Sequence, residues 1–165
     1  MNDILWWEKL EKGKEYLFSF LFVDRVDSTS DDKYYSAKQI QERSSLFHKI
    51  VEDNIIAYNG KALEWHGDGT VIFFYTSEGS DYLSKSKILS KKAVEAAFSI
   101  HSDLISKEEL KEYISVSIGI LPFNKESFGK IQKFNLNIGG HILKACPPCS
   151  ILLDEEIYFL LDEDL

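Results

Sequence analysis

Arginine is scarce in this chain: Arg25 and Arg43 are the only two, against 17 lysines. Any clamp on a phosphate must therefore use one of those two, or lysine, histidine and metal ions. Positive charge is short overall, and the formal net charge is −8. A surface of that sign repels polyanions and argues against a general nucleic-acid binder. A small triphosphate stays admissible, given a local cationic patch or metal ions. Cysteine is reduced to Cys146 and Cys149, in the run Cys146-Pro147-Pro148-Cys149. That spacing can be redox-active or half a zinc site. No second pair exists, and His141 is the only nearby histidine, so the expectation is small buried residues in a turn. No apolar run reaches the roughly 18 residues of a membrane span. Residues 1–15 are mixed and charged, with no signal-peptide core. Repeats, low-complexity tracts and a convincing linker are missing as well. These absences predict a soluble, cytoplasmic protein with no membrane partner. Its 165 residues make one domain, with 1–15 as an N-terminal extension.

What is present suits a packed globular domain: 44% hydrophobic, 28% charged and 13% aromatic residues, the last needing a core to pack in. Tyr16–Val23 is continuously aromatic and β-branched, which predicts a central strand buried on both faces. A polar turn over Asp27–Asp32 follows, with Ser30 or Asp31 as cap for a helix from about Lys33 to Tyr58. Ala37, Ile40, Phe47, Ile50, Val51 and Ile55 form its apolar stripe, and Gly60 is expected as its left-handed C-cap. Lys61–His66 and Thr70–Tyr75 flank Gly67-Asp68-Gly69, a hairpin pattern. Ser77–Leu89 is polar and reads as loop, before a helix over Ser90–Ile105. Tyr113–Ile120 is a strand, Leu121–Lys133 irregular, Leu136–Ala145 a helix stopped by Pro147, and Ser150–Leu153 a strand. Asp154 opens a last helix whose Glu155 and Glu156 suit its positive end. The order predicts an α+β fold, helices covering a mostly antiparallel sheet.

The chemistry centres on Asp24 and Asp68. Both sit at strand tips, and if their strands are neighbours both carboxylates project from one edge of the sheet. Hard divalent ions such as Mg²⁺ or Mn²⁺ take one or two carboxylates plus substrate phosphates. Two such ions can activate an attacking hydroxyl and stabilise a leaving oxygen. The glycines around Asp68, Gly67 among them, let backbone approach phosphates closely. An Asp between glycines is equally ordinary turn chemistry, so spacing alone leaves the two readings level.

The segment Phe20-Leu-Phe-Val-Asp24-Arg-Val-Asp-Ser-Thr29 resembles the first metal motif of class III adenylate and guanylate cyclases. Gly60-Lys-Ala-Leu-Glu64-Trp-His-Gly67-Asp68-Gly69, followed by Val71-Ile-Phe-Phe74, resembles the second. Val116–Ile120, Asn137–Ala145 and Ile151–Glu156 are similar to later family segments, in the correct order from about residue 17 to 160. The resemblance implies a ferredoxin-like cyclase palm that turns a nucleoside triphosphate into a 3′,5′-cyclic nucleotide and pyrophosphate. It implies two Mg²⁺ or Mn²⁺ ions on Asp24 and Asp68, with the Arg25 carbonyl near a metal. The backbone through Val26, Asp27, Ser28 and Thr29 would cradle the β- and γ-phosphates. A homodimer with composite sites is implied too, Asn137 and His141 serving the partner's substrate.

Three departures narrow the reading. His141 stands where the family carries its transition-state Arg, and a histidine is charged only part of the time near neutral pH. Glu64 stands where adenylate cyclases carry Lys and guanylate cyclases Glu; it suits guanine or the exocyclic amine of cytosine, or is a surface residue. Trp65 beside it is expected in the core or an interface. The chain ends before the family's final hairpin with its phosphate-binding Lys, a place Lys130, Lys133 or Lys144 would have to fill. With no counterpart for the family's other base-reading residue, the chain resembles the pyrimidine cyclases of anti-phage defence (Pycsar systems), which signal to a downstream cyclic-nucleotide effector. Guanylate cyclase is the alternative, and a nucleotide-binding relative without catalysis the third. The Gly-Gly-Asp/Glu-Glu-Phe signature of diguanylate cyclases is absent.

Overall fold

A computed structural model describes residues 6–26, 31, 33–108, 110–123 and 141–162. The elements are α1 (Trp6–Lys9), β1 (Glu15–Arg25), α2 (Ala37–Ala57), β2 (Lys61–Ala62), β3 (Thr70–Phe74), α3 (Tyr82–Asp103) with a π-helical end Leu104–Glu108, β4 (Glu112–Pro122), α4 (141–145), β5 (Ser150–Leu153) and α5 (Glu155–Asp162). Five strands form one sheet in the order β2-β3-β1-β4-β5. All pairings are antiparallel except β4 with β5, which is parallel. The α+β architecture with a largely antiparallel sheet under helices is the one the element order predicts. Among the described residues no helix is long and apolar enough to cross a membrane.

The strand β1 lies at the centre because Phe18, Phe20 and Phe22 on one side and Leu21 and Val23 on the other are all apolar and buried. Leu21 and Val23 face one way, into a cluster with Phe47, Val51 and Ile55 of α2, Leu89, Ala93 and Ile100 of α3, and Ile157 of α5. Phe18, Phe20 and Phe22 alternate to the other face and join Trp6, Phe73, Leu121 and Phe123. Aromatic edges meet faces there: the rings of Phe20 and Phe73 cross at 84° with centroids 4.9 Å apart. The segment before β1 is tied into this layer. Trp6 is buried, its indole donates to the Asn59 carbonyl at 3.0 Å, and Gly13 and Phe123 join backbones at 2.8 Å.

Several boundaries differ from expectation. The cap of α2 is Ser36, in a reciprocal capping box with Gln39, not Ser30 or Asp31. Asn59, at φ 62°, takes the left-handed position after α2. Gly60 is needed for space instead: a Cβ there would meet Phe74 Cε1 at 2.7 Å. The polar stretch read as loop is largely helix, because Asp81 caps α3 with its own box to Ser84. The strand β4 runs on through Leu121 and Pro122. Asp154 does cap α5, accepting from Glu156 N–H at 2.7 Å and Ile157 N–H at 3.2 Å. Cys146 is buried and Cys149 half-buried, both free thiols at the turn before β5. Sγ of Cys146 donates toward the Ile114 and Ser150 carbonyls, and burial pushes the thiol up from its ordinary value.

Candidate active site

Strand register brings the two aspartates together. Val23 pairs with Thr70, so the turn just before β3 lies against the residue just after Val23. That turn is closed by His66 N–H to the Gly69 carbonyl at 2.8 Å, and Gly67 sits at φ 66°, a conformation costly for any residue with a Cβ. Asp68 is thereby held over the end of β1. Gly69 leaves room for Asp24: a Cβ there would stand 3.2 Å from Asp24 Oδ1. That oxygen accepts the Arg25 backbone N–H at 2.9 Å. Burial raises the Asp24 carboxyl above its ordinary pKa; the backbone N–H of Arg25 pulls the other way, and the charge of Asp68 adds to the rise.

On the opposite face of β1 the Arg25 side chain reaches Asp68 and a third acid, Asp31. Its Nε and Nη2 both donate to Asp68 Oδ2, at 3.0 and 2.7 Å, and Nη1 donates to Asp31 Oδ2 at 2.5 Å. The side chain is 2% exposed, and those of Asp68 and Asp31 are each 10% exposed. Burial works against the Arg25 charge, but its hydrogen bonds to Asp31 and Asp68 outweigh that and hold its pKa above the ordinary arginine value. Both arginines of the chain converge here: Arg43 Nε is 3.9 Å from Asp31 Oδ2, its guanidinium over the Tyr35 ring at 4.6 Å. His48 Nε2 lies 3.7 Å from Asp68 Oδ1, and its ring stacks on Trp65 at 3.8 Å. The Trp65 indole donates to Glu52 at 2.9 Å and its ring lies against Phe47, so this residue packs on the core.

Of the residues singled out in the sequence, Asp24, Arg25 and Asp68 are brought together. Val26 is buried beside them, but its N–H is committed to the Lys111 carbonyl at 2.9 Å and is not free for a phosphate. Glu64 and Gly67 are exposed on the connection between β2 and β3; His141 and Lys144 are exposed on α4. Asp27, Ser28, Thr29, Asn137, Lys130 and Lys133 lie outside the described residues. Sequence reasoning missed the side-chain roles of Arg25, Asp31, Arg43 and His48. One signal pointed that way: Arg25 ends a strand read as buried on both faces, where a charged side chain needs acidic partners.

Among the described residues no group of three or more His, Cys, Asp or Glu side chains is arranged to hold a metal. Asp24 and Asp68 nevertheless match the needs of a hard divalent ion that takes one or two carboxylates and otherwise waters and phosphates. A cation there would relieve the repulsion between them. The fit is incomplete on one side, because Asp68 Oδ2 already accepts two N–H groups from Arg25.

No protein-family model matches the chain, and no curated protein does. Solved structures do. The chain is similar to the guanylyl cyclase domain of the RhoGC fusion protein from the aquatic fungus Blastocladiella emersonii, with TM-score 0.73, 13% identity, and 93% of this chain and 88% of that one covered. It is similar to the adenylyl cyclase CyaB from P. aeruginosa, with TM-score 0.65, 14% identity and coverage of 93% and 84%. The adenylate/guanylate cyclase/hydrolase from Silicibacter pomeroyi gives TM-score 0.70, 17% identity and coverage of 92% and 83%. The chain therefore has the fold of adenylyl and guanylyl cyclase catalytic domains.

Proposed function

We propose that this chain is a nucleotide cyclase, converting a nucleoside triphosphate into its 3′,5′-cyclic monophosphate and pyrophosphate. One observation carries the reading: in a cyclase-like fold, Asp24 and Asp68 converge at the end of the central strand. Mg²⁺ or Mn²⁺ would be held by Asp24 and by Asp68 through the oxygen that Arg25 leaves free. When bound, such an ion lowers the pKa of the ribose 3′-hydroxyl and offsets triphosphate charge. The 3′-oxygen forms its bond to the α-phosphorus as the bond to the β-phosphate oxygen breaks. Pyrophosphate leaves and the hydroxyl proton passes to water. Asp24 and Asp68 anchor the reacting end, Gly67 and Gly69 keep the turn open to phosphate, and Arg25 fixes the orientation of Asp68. Asn137 and His141 act on the partner's substrate in a homodimer, with His141 in place of a permanent cation.

Pyrimidine is the preferred base, UTP or CTP, the cyclic product being a second messenger of anti-phage defence read by an effector. The exposed carboxylate of Glu64, four residues before Asp68, suits the exocyclic amine of cytosine. The same carboxylate suits guanine, and several similar structures are guanylyl cyclase domains, one of them in complex with GTP. Guanylate cyclase is thus the second reading.

The test is a chromatographic product assay with Mn²⁺ and ATP, GTP, CTP and UTP given separately, beside Asp68→Ala. A cyclic UMP or cyclic CMP peak lost in the variant is the expected result. A cyclic GMP peak would make the enzyme a guanylate cyclase. No cyclic product from any of the four, with a nucleotide-dependent rise in Tm, would leave a binding module in place of an enzyme.

A further inference from the structure

The geometry points to Arg25 as a built-in cation on Asp68 and Asp31 that leaves this site able to bind a single divalent ion. The inference rests on the cyclase reading and refines its metal requirement. Three N–H groups of one guanidinium are spent on two acids, at 2.5, 2.7 and 3.0 Å, in a place where its side chain is 2% exposed. A planar fork can address two carboxylates at once; a lysine ammonium on the same strand position is a single point and cannot reproduce the arrangement. Both N–H groups aimed at Asp68 share Oδ2. An ion bridging Asp24 and Asp68 can therefore reach only Oδ1 without displacing the guanidinium. Displacement would also leave Asp31 with only the longer pair to Arg43, at 3.9 Å, among the described residues. Two divalent ions would thus require breaking a buried triad, whereas one ion beside Asp24 leaves the triad whole.

Arg25 also has a spectroscopic handle. With two arginines in the chain, the side-chain Nε–H region of a ¹H–¹⁵N spectrum holds two signals, and Arg43→Lys assigns them. The experiment titrates the full chain, without nucleotide, with Mg²⁺ followed by NMR and with Mn²⁺ followed by EPR. The expected result is one Mn²⁺ per chain, lost in Asp24→Asn, with the Arg25 Nε–H signal still protected at saturating Mg²⁺. Arg25→Gln, which keeps a hydrogen-bonding amide and loses the charge, is expected to bind a second Mn²⁺ or to hold the first at least tenfold more tightly. Two Mn²⁺ on the unmodified chain, none, or loss of the Arg25 signal on adding Mg²⁺ would each overturn the inference. These results decide it even if Arg25→Gln does not fold. Because no nucleotide is present, a chain that makes no cyclic product fails the functional reading without altering this stoichiometry.

Discussion

Gly67 and Gly69 flank the same aspartate and do different work, which separates stability from chemistry at single positions. Gly67 is exposed and needed for its backbone angle. Gly67→Ala should cost about 1–2 kcal/mol of stability, seen as a Tm lowered by roughly 2–8 °C, with Mn²⁺ binding kept once folded. Gly69 is needed for the space in front of Asp24, where a Cβ would stand 3.2 Å from Oδ1 and 3.3 Å from Cγ. Gly69→Ala should therefore turn the Asp24 carboxylate, lowering Mn²⁺ affinity at least about tenfold while Tm moves little. Equal Tm losses in the two variants would contradict this division. Asp24 and Asp68 themselves were legible, because an acid ending an apolar strand and an acid between glycines in a hairpin turn are local patterns. The Arg25 triad was not. Its partners lie six and 43 residues away along the chain, and alternation along a strand gives the face a side chain takes but not which acid it meets.

Among the elements, α3 shows how an apolar face can be hidden from a periodicity reading. Its buried residues include Ser86, Ser90, Ala93, Ala96 and Ala97, small and partly polar, while Leu83 and Phe98 are exposed. A stripe of serine and alanine carries little hydrophobic signal, so the first two turns read as loop. Small residues there let the helix lie close on the sheet, and Ser19 of β1 donates to the Leu89 carbonyl at 2.9 Å. The start of α3 rests on the Asp81–Ser84 box, and the Ser84 N–H on the Asp81 carboxylate holds its pKa below the ordinary range. Asp81→Ala should speed amide exchange at residues 82–85 and leave the helix centre protected. At the other helix, Gly60→Ala should overpack against Phe74 and cost about 1–3 kcal/mol, measurable by urea unfolding. By contrast β1, α2 and α5 were readable, since a nearly continuous apolar run, a 3.6-residue stripe and a capped helix start are each written within a few neighbouring residues.

For the molecule as a whole, burial sets an unusual response to pH. Glu112 is fully buried, one oxygen against His101 Nδ1 and the other without a hydrogen-bond partner. Its carboxyl is raised above 4.5 by burial, with the His101 hydrogen bond opposing, and Asp24 is raised above 3.8. A carboxyl raised on folding contributes stability that is fully present below the unfolded pKa and is lost as pH rises through the folded one. Wild-type Tm should therefore fall relative to Glu112→Gln as pH climbs from about 4.5; melting curves of the two at stepped pH check the sign. A constant difference at all pH values would place the Glu112 proton outside the folding equilibrium.

The sheet order β2-β3-β1-β4-β5 also has a consequence for how the protein is made. The most apolar strand leaves the ribosome first, yet its neighbours are completed only at Phe74 and Pro122. At about 5–20 residues per second of translation, β1 waits roughly 5–20 s after Arg25 for its second partner. Throughout that interval the edge of β1 that β4 will cover, along Phe18, Phe20, Leu21, Phe22 and Val23, stays open to other nascent chains. Synthesis of this protein should thus lean on chaperones that shield short hydrophobic strands, and slowing the ribosome before β4 should raise the aggregated fraction without altering the protein that does mature.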